Sequence, residues 1–143
     1  MRAYRVHVSH DFAKPPDRVF AFMSEHENLG PLFGAQVTRV RDGDGGERNG
    51  VNSVRELKVG PLPPFQETVH EFVPGERIVY RITKGGPLKD HVGVLEFSPT
   101  PGGGTHLEYN IRIASAIPGL APIVASGLTR DIGKNLPMVD EQS

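Results

Sequence analysis

Arg77-Ile78-Val79-Tyr80-Arg81-Ile82-Thr83-Lys84, then Gly85-Gly86-Pro87, then Asp90-His91-Val92-Gly93-Val94-Leu95-Glu96-Phe97-Ser98, then Pro99-Thr100-Pro101-Gly102-Gly103-Gly104 and the run Thr105–Ser115: this stretch decides the fold. Three segments alternate between apolar and polar residues, and clusters of Gly and Pro separate them. A period of two marks a strand, and Pro cannot donate to a ladder, so each cluster is a turn. Short strands joined by tight turns predict an antiparallel meander. Upstream, Phe65–Phe72 reads as another strand, closed by Pro74-Gly75-Glu76. Val51–Val59 reads as a strand with an irregularity, and Gly60-Pro61-Leu62-Pro63-Pro64 as a loop. Ala35–Arg41 is a further strand, followed by the turn Asp42–Gly46. Residues 2–12 alternate through Tyr4, Val6, Val8 and Phe12 and form the first strand.

The period changes at two places. After Lys14-Pro15-Pro16-Asp17, the residues Val19, Phe20, Phe22 and Met23 share one face of a short helix, with Pro tolerated in its first turn. His26–Gly34 reads as a second short helical piece, interrupted at Gly30-Pro31. At the other end, Ile117, Leu120, Ala121, Val124, Leu128 and Ile132 follow a 3.6-residue repeat, which predicts a helix from about Pro118 to Asn135. Gly119, Gly127 and Gly133 weaken it, at about 1 kcal/mol each relative to Ala, so packing must hold it. Pro137 ends or kinks it. The apolar stripe Ile117, Leu120, Val124 and Leu128 is expected to face the sheet.

Composition narrows the function classes. The chain has 143 residues and no cysteine, which excludes thiol nucleophiles, disulfides and thiolate metal sites. Lys and Arg number 16 against 17 Asp and Glu, a balance that argues against a general nucleic-acid or anionic-membrane binder. Gly and Pro number 17 and 13, too many for a helical bundle. No apolar run approaches the roughly 18 residues of a membrane span. Met1–His7 lacks the apolar core of a signal peptide, so a cytoplasmic location is expected. With no repeat and no linker, residues 1–143 are expected to form one domain.

These patterns resemble a known group. Ala13-Lys14-Pro15-Pro16-Asp17-Arg18-Val19-Phe20 matches its strand-to-helix opening. Gln66-Glu67-Thr68-Val69 with Pro74–Arg81 matches its centre, and His91–Phe97 with Gly103–Tyr109 its end. Together they are similar to the START-like, or SRPBCC, superfamily of polyketide cyclases, dehydratases and lipid-transfer proteins. The resemblance implies an α+β helix-grip fold: a curved antiparallel sheet of about seven strands wrapped around a long C-terminal helix, with two short helices between strands 1 and 2. It also implies a cavity between sheet and helix. The chain departs from the group in having no Trp; Leu32 or Phe33, and Tyr109, stand in those places.

Alternation then assigns faces. Leu107, Tyr109, Ile111 and Ile113 face inward on the last strand. Ile78, Tyr80 and Ile82, and His91, Gly93, Leu95 and Phe97, do so on the two before it. On Phe65–Phe72 the inward set is Phe65, Glu67 and Val69, with Phe72 among the outward residues. The expected ligand-binding residues are therefore Glu67, Tyr80, His91, Leu95, Tyr109 and Ile111, with Val124 and Leu128 from the helix. A carboxylate, an imidazole and two phenols along an apolar cavity suit either pocket lining or acid–base chemistry on an enolisable substrate. Among the other histidines, His7 and His10 face opposite ways, His26 is expected at the surface, and His70 and His106 on the outer face of the sheet. No HExxH-type spacing occurs and no metal or other cofactor is expected. Gly102-Gly103-Gly104 lies between strands, not before a helix, and is a hairpin turn rather than a phosphate loop.

Three functions are compatible with this pattern. The first is binding of a small hydrophobic or amphipathic ligand: a lipid, a polyketide or an aromatic metabolite. The second is a polyketide cyclase- or dehydratase-like enzyme using Glu67, His91 or Tyr109. The third is a co-chaperone-like interaction module. The expected partner is a small hydrophobic molecule, with no nucleic acid and no integral membrane association; a homodimer is left open.

Overall fold

The computed structural model describes all of residues 1–143. Seven strands form one antiparallel sheet: β1 (Tyr4–Phe12), β2 (Gln36–Arg41), β3 (Val54–Lys58), β4 (Phe65–Val73), β5 (Arg77–Gly85), β6 (Lys89–Pro99) and β7 (Thr105–Ala114). Their spatial order is β1-β7-β6-β5-β4-β3-β2, so β2 to β7 form a meander and β1 closes onto β7. Between β1 and β2 lie α1 (Pro16–Ser24), a 3-10 turn at His26–Asn28, and the single turn α2 (Gly30–Phe33). Helix α3 spans Leu120–Asn135 and α4 Met138–Gln142. This is the helix-grip architecture expected from the sequence.

Local chemistry explains the boundaries. Pro16 opens α1, which buries Val19, Phe20 and Met23. Gly34, at φ 66°, ends α2 in the left-handed region that favours glycine. α3 begins two residues later than the sequence pattern suggests, after Gly119 at φ 78°. Asn135 is its last residue, before Pro137, as expected. The carboxylate of Asp140 in α4 accepts hydrogen bonds from the backbone N–H groups of Ala13 and Lys14 at 2.9–3.1 Å, tying the C-terminal segment to the β1–α1 junction.

Three expectations need correction. The third strand starts at Val54, because Asn52 turns the chain at φ 70°. Phe72 is not an outward residue. The register shifts between Val69 and Glu71, and this bulge returns Phe72 to the core, where its ring meets Phe20 edge-on at 5.3 Å. Ile117 is exposed, because it precedes the helix. The deeply buried face of α3 is Ala121, Ala125 and Ile132, while Val124 and Leu128 are half-buried against the core. α3 rests on β1, β7 and α2. Small residues at 121 and 125 let it lie close there, and the sheet curves away from it toward β3–β5.

Candidate functional site

That curvature leaves a cavity of about 150 Å³ between the sheet and α3. Sixteen residues line it, twelve of them apolar. β3 and its following loop supply Leu57, Val59 and Leu62; β4 and β5 supply Phe65, Glu67, Tyr80 and Ile82. Leu88 and His91 come from the start of β6 and the turn before it, Ile111 and Ile113 from β7, and Phe33 from α2. α3 closes the top with Val124, Gly127, Leu128 and Asp131. Gly127 presents no side chain, and a Cβ there would meet nothing nearer than the Arg130 guanidinium, 3.9 Å away.

Of the eight residues picked from sequence, six border the cavity: Glu67, Tyr80, His91, Ile111, Val124 and Leu128. Leu95 and Tyr109 do not. Both are buried in the core behind the wall, and the Tyr109 hydroxyl is hydrogen-bonded to that of Tyr80. The Tyr80 ring reaches across β6 to do this, lying over Gly93, its register partner; a Cβ on Gly93 would collide with the ring. Burial raises the pKa of both phenols, so they are neutral hydroxyls at ordinary pH.

The polar residue that sequence reasoning missed is Arg55. It stands directly opposite Glu67 in the β3–β4 register, and its Nε donates to Glu67 Oε1 at 2.8 Å. Both side chains are about 95% buried, at 4% and 5% exposure. The guanidinium also sits 4.5 Å above the Tyr80 ring centre, a cation–π contact. The available signal was parity: Arg55 alternates in step with Leu57 and Val59, so it had to face inward with them.

His91 completes the row. Its Nδ1 accepts the backbone N–H of Ile82 at 3.0 Å. A backbone N–H can only donate, so the neutral ring carries its proton on Nε2. Nε2 lies 3.5 Å from Glu67 Oε2, beyond a good hydrogen bond. Burial lowers the His91 pKa, and the charge of Arg55 adds to this against the opposing pull of Glu67. The site thus offers a neutral donor, His91 Nε2–H, beside an ion-paired carboxylate.

His26, expected at the surface, is fully buried. The 3-10 turn swings it inward, and its Nε2 bonds to Ser53 Oγ at 3.0 Å. Ser53 Oγ in turn donates to the Gly50 carbonyl at 2.7 Å, so Ser53 accepts the His26 proton. Burial, helped by Arg55 and Arg39, holds the His26 pKa down at about 3. It joins the β2–β3 loop to the helical segment and does not border the cavity. His70 is exposed and His106 lies on the outer face, as alternation predicts.

Residues 3–141 match the polyketide cyclase / dehydrase and lipid transport family, and the chain belongs to it. Curated proteins include no significant sequence match. Among solved structures, a START superfamily protein from Mycobacterium smegmatis superposes with a TM-score of 0.79 at 16% identity, covering 96% of this chain and 97% of that one. The protein TTHA0849 from Thermus thermophilus gives 0.75 at 18% identity, covering 96% and 95%. The Zhui aromatase/cyclase from Streptomyces sp. R1128 gives 0.70 at 16% identity, covering 97% and 89%. At these identities the likeness is one of fold. No helix is long and apolar enough to cross a membrane.

Proposed function

We propose that the protein binds a small hydrophobic or amphipathic molecule in the cavity between the sheet and α3. The observation that carries this reading is an apolar space with two free polar atoms on buried side chains of its wall, Glu67 Oε2 and His91 Nε2, beside the more exposed carboxylate of Asp131 on α3. A pocket that is mostly apolar with a few placed polar groups is the usual form of a small-molecule site. Family membership agrees with it. The test is thermal stability of the protein across a panel of aromatic and acyl ligands. A ligand that binds only the folded state raises Tm increasingly with concentration. Gly127→Leu, which extends a side chain from the helix wall, should abolish the rise while the protein stays folded. A flat response to every ligand at its solubility limit contradicts the reading.

A second reading is favoured by the same pair. His91 Nε2–H can polarise a substrate oxygen while Glu67 takes a proton from an adjacent carbon, as a cyclase- or dehydratase-type enzyme requires. The ion pair with Arg55 works against it, because the guanidinium already holds one of the two carboxylate oxygens, Oε1, at 2.8 Å. Product formation from a bound β-polyketone, lost in Glu67→Gln with binding retained, would place catalysis ahead of simple binding.

A further inference from the structure

Resting on the ligand-binding reading, we infer the chemical class of ligand: a compact, neutral molecule of about one ring that carries a hydroxyl group, such as a simple phenol, with carboxylates and long acyl chains disfavoured. The first argument is size. Apolar cavities of roughly 150 Å³ hold a single benzene-sized ring, whereas drug-sized ligands occupy roughly 300 Å³ or more. A volume of about 150 Å³ encloses about one ring, and a fused-ring polyketone or a full acyl chain would have to extend out of it into solvent.

The second argument is the hydrogen-bond inventory of the buried carboxylate and imidazole on the wall, Glu67 and His91; Asp131, the other carboxylate there, is more exposed to solvent and adds a further negative charge. Glu67 Oε1 is used by Arg55, and Oε2 makes no hydrogen bond within the chain. His91 Nδ1 is used by Ile82, so Nε2 is a donor with no partner. Neither free atom is sealed: the only fully buried side-chain polar atoms without a partner are His26 Nδ1 and Ser143 Oγ, elsewhere in the chain. With Oε2 and Nε2 3.5 Å apart, one oxygen atom can stand within about 2.8 Å of both. A hydroxyl satisfies both at once, accepting from Nε2–H and donating to Oε2. A ketone can use only the donor. A carboxylate has no proton for Oε2 and brings a second anion beside Glu67. Arg55, the one buried cation, is already paired and does not border the cavity. An ammonium group cannot accept from Nε2–H. The Tyr80 and Tyr109 hydroxyls are hydrogen-bonded to each other, and Tyr109 does not border the cavity.

Calorimetric titration of the wild-type protein with phenol, toluene, benzoate and dodecanoate at pH 7 tests this. Phenol should bind at least tenfold more tightly than toluene or benzoate, and dodecanoate should bind more weakly than phenol. In His91→Phe, phenol should lose its advantage over toluene; the wild-type ranking decides the matter should that variant fold poorly. Toluene or dodecanoate binding as tightly as phenol, or benzoate binding more tightly, overturns the hydroxyl assignment and leaves ligand binding itself standing. No binding by any of the four overturns both.

Discussion

The sheet carries two clusters of histidine and carboxylate, one on each face. Inside, His91 lies 3.5 Å from Glu67. Outside, on β1 and β7, His106 bonds to Asp11 at 2.5 Å through Nδ1 and to Glu108 at 2.7 Å through Nε2, while His7 bonds to the other oxygen of Glu108 at 2.6 Å. His106 and His91 respond in opposite directions. His106 is raised, because both ring nitrogens meet carboxylates in open solvent. His91 is lowered by burial, and the Ile82 N–H occupying its Nδ1 suits the neutral ring. A neighbouring carboxylate therefore does not by itself make an imidazolium. Solvent access and the partner of the second ring nitrogen decide.

The largest test of that contrast removes a carboxylate from each face. Glu67→Ala strands Arg55 as a buried charge and should cost about 3–5 kcal/mol. Replacing both partners, as in Arg55→Met with Glu67→Leu, should recover much of that loss in a urea titration. Glu108→Gln, on the exposed face, should move the urea midpoint far less than Glu67→Ala. The sequence alone suggests that Glu67→Gln alters ligand preference more than stability; with Arg55 opposite, stability should suffer as well.

Acid stability follows. His26 and His91 have folded pKa values below the unfolded value of about 6.5. Below that pH the unfolded chain takes up protons that the folded chain does not. Their contribution is thus full above pH ~6.5 and falls as pH falls, down to about pH 3 for His26. His106 acts in the opposite sense: its contribution is present below pH ~6.5 and is lost as pH rises through its raised value. In urea titrations from pH 4.5 to 7.5, His91→Gln should flatten the acid limb and His106→Gln should not.

Smaller effects come from α3. Leu128 is half-buried at the cavity, so Leu128→Ala should cost about 2 kcal/mol, the low end for a core Leu. Gly133 meets nothing within 4 Å at its Cβ position, so Gly133→Ala should stabilise by about 0.5–1 kcal/mol through helix propensity alone. Thermal melts of the two variants measure both.

Alternation made the inner face of β5, β6 and β7 legible, because those strands keep their side-chain parity through Ile78, Tyr80, His91, Leu95, Tyr109 and Ile111. It failed where parity breaks. Phe72 changes face at a bulge that leaves no mark in the residue pattern. His26 turns inward on a 3-10 segment whose three-residue period differs from that of the surrounding helices. Arg55 was hidden for a different reason. Parity with Leu57 and Val59 marks it as inward, but its partner Glu67 emerges only from the β3–β4 register. The cavity volume, which limits the ligand, depends on how closely α3 approaches the sheet through Ala121 and Ala125.

The chemistry of the pocket turns on the inner imidazole being a neutral Nε2–H donor open to ligand. A long-range ¹⁵N–¹H spectrum of the histidine rings at pH 7, recorded during titration with phenol, measures this directly. His91 should show a protonated Nε2 and a bare Nδ1, and its Nε2 signal should move on addition of phenol while His106 stays fixed as an internal control. A doubly protonated His91, or a His91 signal that phenol leaves unmoved, would contradict it.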